Sequence, residues 1–331
     1  MNRRLTILVS ESADFSERAA ALLRSLGDVT LADLDTPGLM AAAPGTSILW
    51  VRLRSQIAAP VLERFPHLRA IVTPTTGLNH IDLSAAAARN IRVFSLLGEV
   101  EFLKEVRATA EHTAALALAL FRNLPAACGH ALTGGWNRDL FKGAELHGKI
   151  AGIVGYGRLG HMVAGYFAAF GMQVLATDPK FPAGDDDPPA RLLPFEQVLA
   201  ESDLISLHVN LCEQTRGFFD HRAFATMKRG ARFLNTSRGE LVEEAALLDA
   251  LGSGKLAGVA LDVIANEHDV ATSPILQYAR SHSNLIVTPH IGGCTRESME
   301  KTEVHLAEMV KAWLLSESSE VEGAERNAVL C

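Results

Sequence analysis

Residues 150–160 read IAGIVGYGRLG, an apolar run followed at once by Gly155-x-Gly157-x-x-Gly160. The run has the length and composition of a strand buried on both faces, and the residues after Gly157 open a helical pattern. Strand, glycine turn and helix together make a phosphate cradle. Gly155 allows the tight turn, Gly157 lets the backbone approach a pyrophosphate, Gly160 lets helix and strand pack closely, and the helix N-terminus attracts the anion. The next predicted strand, MQVLATD, ends in Asp178. A carboxylate there accepts both ribose hydroxyls and repels a 2′-phosphate, which selects NAD over NADP; nearby Lys180 moderates the preference. A glycine turn without a ligand is the alternative, and the strand, the helix and the distal aspartate together count against it.

Outward from the turn, the chain alternates. KIAGIVG, MQVLATD, DLISLHV, ARFLNTS, AGVALDV and NLIVTPH are six strands with helices between them, which predicts a full doubly wound nucleotide-binding unit. Upstream, LTILVS, VTLADL, SILWV, RAIVTP and IRVFS alternate with helical patterns, one of them through Ala19–Leu26, as in a small α/β domain with parallel strands. The expected fold is α/β, with two doubly wound parallel-sheet domains: a Rossmann NAD-binding domain over 105–295, inserted in a flavodoxin-like substrate domain made of 1–104 and 296–331. A helix from Thr295 to Leu315 returns the chain to the first domain. EVEFLKEVRATAEHTAALALALF, residues 99–121, predicts one long linking helix whose latter half is apolar, and therefore buried, on all faces; it is also the expected dimer contact. GDDDPPA (184–190) reads as a solvated turn without a metal role, and the acidic SESSEVEGAE as loosely ordered.

Composition narrows the function. With 331 residues, 48% of them hydrophobic, the chain can bury two cores. A net charge of −7 with no basic block disfavours nucleic acid and anionic membrane as partners and favours a small molecule. The start, MNRRLTILVSESADF, reads as a first strand and not as a signal peptide, and the longest apolar stretch, Ala114 to Phe121, is too short to span a bilayer. Cys128, Cys212, Cys294 and Cys331 lack metal-ligand spacing, which argues against a metal site and for a reducing, cytoplasmic location. Cys294 reads as a small buried filler in a glycine turn.

Polar residues stop several strands of the second domain. LIVTPHIGGC ends its run at His290, ARFLNTSRGELV at Arg238 and GVALDVIANEHD at Asp262 with Glu267 beyond; DLISLHVN ends at His208. The carboxyl ends of strands in an open α/β sheet share one crevice, so Arg238, Glu267 and His290 are expected to converge. An arginine grips a carboxylate with its planar fork and polarises the adjacent oxygen. A histidine exchanges the proton of that oxygen while hydride moves, and a carboxylate beside the imidazole favours its charged form and orients it. That set suits interconversion of a 2-hydroxy acid and its 2-oxo acid. Taken singly, each has a plainer reading: His290 as a strand cap, Arg238 as a surface ion pair, Glu267 as a solvated loop charge.

TTGLNHIDLSAAAARNI, ATAEHT, GAELHGKIAGIVGYGRLG, DLISLHVNLCEQTRGFF, RFLNTSRGELV, LDV and VTPHIGGCT, in this order, resemble the D-isomer-specific 2-hydroxyacid dehydrogenases over nearly the whole chain. The resemblance implies Arg238, Glu267 and His290 as the catalytic set. It implies cofactor contacts at Gly155, Gly157, Arg158, Leu159, Gly160, Asp178, His208, Val209, Asn210, Thr236, Asp262 (against the carboxamide) and Thr76. It also implies substrate contacts at backbone amides around Leu53, Arg54, Thr76 and Gly77, with domain closure excluding water, and a homodimer through the apolar helix. Asn210 stands where the family usually has proline, and Ala265-Asn266-Glu267-His268 replaces the usual acidic-x-Glu-Pro. Thr73 occupies a position that is often arginine in relatives acting on 3-phosphoglycerate, and no additional C-terminal regulatory domain is expected; Arg52 and Arg54 are candidates to meet a phosphate or second carboxylate. The expected activity is an NAD-dependent oxidoreductase of a D-2-hydroxy acid. The alternatives are a non-catalytic NADH-sensing module that binds a protein, or an oxidiser of another small anion such as phosphite or formate.

Overall fold

A computed structural model describes residues 5–182, 184 and 187–328, so Cys331 and two of the three aspartates of GDDDPPA lie outside the described residues. The chain divides into two compact units. One runs to Val106 and resumes at Thr295, and the other spans Arg107–Cys294.

The first unit holds five parallel strands, β1 (Thr6–Val9), β2 (Asp28–Leu31), β3 (Ile48–Trp50), β4 (Ala70–Val72) and β5 (Arg92–Phe94), in the order β2-β1-β3-β4-β5. Both faces are covered, as a parallel sheet requires. Ile7, Val9, Ile48, Trp50, Ala70 and Val72 face one layer, where Leu306, Ala307 and Val310 of the C-terminal helix pack, while Leu8, Leu49 and Ile71 face Leu39, Leu62 and Phe65 on the other.

The second unit is a seven-stranded parallel sheet: β6 (Ile150–Val154), β7 (Gln173–Thr177), β8 (Ala190–Leu192), β9 (Leu204–Leu207), β10 (Ala231–Asn235), β11 (Leu256–Leu261) and β12 (Leu285–Val287). Their order, β12-β11-β10-β9-β6-β7-β8, reverses direction between β6 and β9, which puts the topological switch at the glycine turn after β6. Residues on alternate sides of the strands enter two cores, one with Ile205, Phe233 and Val259, the other with Ile153, Ala176 and Leu234.

Three expectations need correction. The second sheet has seven strands where six were expected: β8 lies at the end of GDDDPPA, where Ala190 and Leu192 are buried beside β7, and three residues are too few to display a period. The linking helix is not continuous. A short turn of helix, Val100–Leu103, precedes Ala108–Phe121, and the break falls at the boundary of the two units. Nor is its apolar half buried on every face, because Ala115 and Leu118 are exposed. The C-terminal helix runs Arg296–Ala328 and takes in the acidic stretch. Once a helix is nucleated, each further residue costs only propagation, and this stretch carries one glycine and no proline.

Candidate active site

The glycine turn is built as its spacing demands. Gly155 has φ +93°, and a Cβ there would lie 2.4 Å from the carbonyl oxygen of His208, so the turn after β6 lies directly against the end of β9. A Cβ on Gly160 would lie 2.2 Å from the Gly155 carbonyl oxygen, whereas one on Gly157 would meet nothing within 4 Å among the described residues. Space is therefore kept open at the middle glycine. The helix Arg158–Ala169 starts from Gly157 with no side-chain cap, which leaves its N-terminal dipole for an anion. Arg158 and Leu159 are half-buried in its first turn. Burial lowers the pKa of the Arg158 guanidinium.

Asp178 ends β7 with each carboxylate oxygen accepting one backbone N–H, from Tyr156 and from Lys180, both at 2.9 Å. These bonds aim the carboxylate at the turn and leave each oxygen with capacity for a hydroxyl. Tyr156 was not anticipated from sequence. It is fully buried, and its hydroxyl donates to the carbonyl of Asp187 at 2.9 Å. At the end of β9, burial pushes the His208 imidazole down to about 3, so it is neutral, with Nε2 2.9 Å from Ser206 Oγ and Nδ1 lacking a partner among the described residues. Val209 is half-buried and Asn210 exposed. Thr236 is buried with its hydroxyl 2.9 Å from that of Thr113.

Three adjacent strands lead into Arg238, Glu267 and His290. Asn235 of β10 pairs in register with Leu261 of β11, which pairs with Val287 of β12, so the segments that follow leave one edge of the sheet together. Gly239 tightens this edge: a Cβ there would lie 1.9 Å from the carbonyl carbon of Ile264. His290 Nδ1–H donates to Glu267 Oε2 at 2.7 Å, the donor role following from a carboxylate that can only accept. The imidazole Nε2 makes no hydrogen bond among the described residues. Arg238 is half-buried, and its guanidinium donates to the Ser237 carbonyl at 2.6 Å while forming no ion pair among the described residues. Burial lowers its pKa, against the pull of Glu267 and then Glu240. The structure thus brings Glu267 onto His290 and places an unpaired cation within the field of the same glutamate.

Asp262, expected to face a carboxamide, is buried and engaged within the protein. Oδ1 accepts from Thr288 Oγ1 (2.6 Å), from the N–H of Ile291 (2.9 Å) and from His112 Nε2 (3.2 Å); Oδ2 accepts from the N–H of Gly292 (2.7 Å). Its backbone carbonyl also accepts the N–H of His290 (2.8 Å), which sits at φ +54° in the left-handed region. Burial raises the Asp262 pKa, but the hydrogen bonds win and leave it lowered, a carboxylate. At Gly292 the missing Cβ makes room for Asp262, whose Oδ2 would lie 2.9 Å from it. Cys294 is exposed, not a buried filler, as are Cys128 and Cys212.

In the first unit, Leu53 and Arg54 follow β3, and Thr76 and Gly77 follow β4. The buried carboxylate of Glu11, not singled out in the sequence, accepts the N–H of Arg52 (3.1 Å) and of Arg54 (3.2 Å), leaving the peptide N–H of Leu53 between them. The Arg52 guanidinium is engaged by Glu303 (2.6 Å) and the Ala13 carbonyl (2.9 Å). Arg54 is exposed beside Asp33 (3.4 Å). Buried Thr73 links by hydroxyl to Thr75 (3.1 Å), which donates to the Gly77 carbonyl (2.8 Å), and so shapes the loop after β4.

Residues 114–292 match the model of the D-isomer specific 2-hydroxyacid dehydrogenase NAD binding domain. The chain is 36% identical over 304 residues to D-3-phosphoglycerate dehydrogenase of Mycobacterium bovis, covering 90% of this chain and 56% of that one, and 34% identical over 283 residues to hydroxypyruvate reductase of Thermotoga maritima, covering 86% and 90%. It superposes on D-lactate dehydrogenase from Aquifex aeolicus, solved with NAD and lactic acid, with a TM-score of 0.79 at 26% identity, covering 96% of this chain and 98% of that one. The chain belongs to the D-isomer-specific 2-hydroxyacid dehydrogenase family, and its second unit is an NAD-binding domain. It spans about half the length of the phosphoglycerate dehydrogenases it matches.

Proposed function

We propose that this chain is an NAD-dependent oxidoreductase that interconverts a D-2-hydroxy acid and its 2-oxo acid. One observation carries the reading: His290 is tied to Glu267 through Nδ1 at 2.7 Å, and among the described residues its Nε2 is uncommitted and nearby Arg238 has no carboxylate of its own. A half-buried guanidinium without an ion pair is costly in the free protein and becomes favourable when a substrate carboxylate enters. Bound NAD supplies the hydride acceptor, and the open turn at Gly157, the helix N-terminus and Asp178 suit its pyrophosphate and ribose.

Arg238 then holds the substrate carboxylate and polarises the neighbouring oxygen. His290 Nε2 takes the hydroxyl proton in oxidation and returns it in reduction, and Glu267 holds the ring in the tautomer that makes this possible. Leu53, Arg54, Thr76 and Gly77 are retained in this reading as substrate contacts. With Arg52 occupied by Glu303, a small unphosphorylated acid suits the chain better than a phosphorylated one.

The reading includes a cytoplasmic homodimer. The helix Leu124–Leu132 has no buried residue, and Leu118, Leu124, Leu132 (88% exposed), Trp136 (95%) and Leu140, all within one segment of the chain, are exposed. A second copy of this chain is the occupant proposed for these apolar side chains. Among the described residues no single helix is long and apolar enough to cross a membrane.

The test is NADH consumption on glyoxylate, hydroxypyruvate, pyruvate, phosphohydroxypyruvate and bulkier 2-oxo acids, with phosphite and formate oxidation assayed alongside. Turnover of a 2-oxo acid, lowered ~10²–10⁴-fold in His290→Ala while NADH still binds, is expected. Tight NADH binding without turnover of any of them would point to a sensor, and unchanged turnover in the variant would remove His290 from the mechanism.

A further inference from the structure

The turn that carries His290 is held almost entirely by one aspartate. Four donors converge on the Asp262 carboxylate, and its backbone carbonyl holds the His290 N–H, so residues 288–292 are bound to a single residue of β11's exit. Three of the donors come from the turn itself. The fourth, His112, comes from the helix Ala108–Phe121, far away in sequence. Its Nε2 lies 3.2 Å from Asp262 Oδ1 and 3.1 Å from Thr288 Oγ1. Because Thr288 spends its only proton on Asp262 at 2.6 Å, its oxygen is an acceptor toward His112, as is the carboxylate. Both contacts therefore require a proton on His112 Nε2, shared between two oxygens. The imidazole closes a ring of hydrogen bonds with Asp262 and Thr288, and its Cδ2 lies 3.8 Å from where a Gly292 Cβ would be.

We propose that His112 is a positioning residue for His290. By donating Nε2–H to both oxygens, it fixes the rotamers of Asp262 and Thr288, which in turn hold the N–H groups of Ile291 and Gly292 and keep His290 in its left-handed conformation. That conformation is unfavourable for a residue with a Cβ and persists only where its surroundings over-determine it. Removing the imidazole leaves Oδ1 two donors where it had three and frees Thr288 to rotate. The ring also limits Asp262 as a cofactor ligand, since Oδ1 is saturated and Oδ2 alone has a lone pair to offer a carboxamide.

The proposal rests on His290 as the proton-transfer residue, so the test uses one readout that does not. In the full-length chain, His112→Leu is expected to raise amide hydrogen exchange at residues 290–292 by about tenfold, the scale of one lost hydrogen bond. It is also expected to lower kcat by about tenfold on the best 2-oxo acid of the panel, with KM and the Kd for NADH within about twofold. His112→Gln, whose amide nitrogen can occupy the place of Nε2, is expected to restore both. Unchanged exchange in His112→Leu overturns the proposal. So does a His112→Gln variant as impaired as His112→Leu, or a loss that falls on NADH affinity instead of kcat. If the chain turns over no acid at all, the dehydrogenase reading fails while the exchange experiment still decides the clamp.

Discussion

Arg52 and Arg238 both follow the carboxyl end of a buried parallel strand, and the sequence around each marks it as a candidate anion ligand. Their surroundings differ. Arg52 meets Glu303, whose side chain is 1% exposed, at 2.6 Å, with the Ala13 carbonyl at 2.9 Å and its own N–H held by Glu11. Arg238 meets a single carbonyl, and the nearest help comes through space from Glu267 and Glu240. One cation is consumed in holding the fold and the other is held in reserve. Position at a strand end therefore does not decide whether an arginine is left unpaired; the presence or absence of an internal carboxylate among the described residues does.

The contrast can be broken by exchanging what each arginine loses. Arg52→Met leaves Glu303 buried without its partner and is expected to cost roughly 3–5 kcal/mol in chemical denaturation, the scale of breaking a buried pair from one side. Arg52→Met with Glu303→Leu should recover most of that loss, because no unpaired charge is left behind. The pH dependence has a definite sign. Burial raises the Glu303 pKa above the ordinary glutamate value despite Ser16 and Arg52, so the folded state holds this proton more tightly than the unfolded state. Its contribution is fully present below the unfolded pKa and is lost as pH rises through the folded one. Removing Arg52 moves that upper limit higher, so the deficit of Arg52→Met should be greatest near neutrality and shrink as the pH falls. A deficit independent of pH would show that Glu303 is not the source.

At the other arginine, Arg238→Lys is expected to reduce kcat/KM by ~10²-fold while leaving the unfolding midpoint nearly unchanged, since a point charge cannot replace the planar fork. A normal KM in that variant would count against a carboxylate clamp. The smallest effect is expected at the surface: Trp136→Ser should weaken self-association on the order of tenfold in sedimentation, and a chain that is monomeric before the change would refute the dimer.

Much of the fold can be read along the chain because it rests on local pattern. The glycine turn at 155–160, the strand runs and the polar stops at Arg238 and His290 each depend on residues close in sequence, and parallel sheets bury whole runs of apolar residues. What escapes is whatever depends on a partner from elsewhere. His112 is one histidine in an apolar helix until Asp262 and Thr288 meet it. Glu11 is one acid after a strand until it meets the N–H groups of Arg52 and Arg54. The apolar helices illustrate the same limit: Ala108–Phe121 and Leu124–Leu132 are alike in composition, but one buries Leu116, Leu120 and Phe121 and the other buries nothing.

The sequence by itself determined two parallel α/β sheets, the dinucleotide turn and the residue types needed to move a proton and hold a carboxylate. Hydrophobic period and glycine placement are local, and they leave few alternatives. Tertiary structure alone decided which charges are spent: Arg52 on Glu303, His290 on Glu267, Asp262 on the turn behind it, with Arg238 left over. A hydrogen bond or ion pair has no counterpart in the spacing of a chain, because its worth is set by burial and by the few tenths of an ångström that separate a partner from a neighbour.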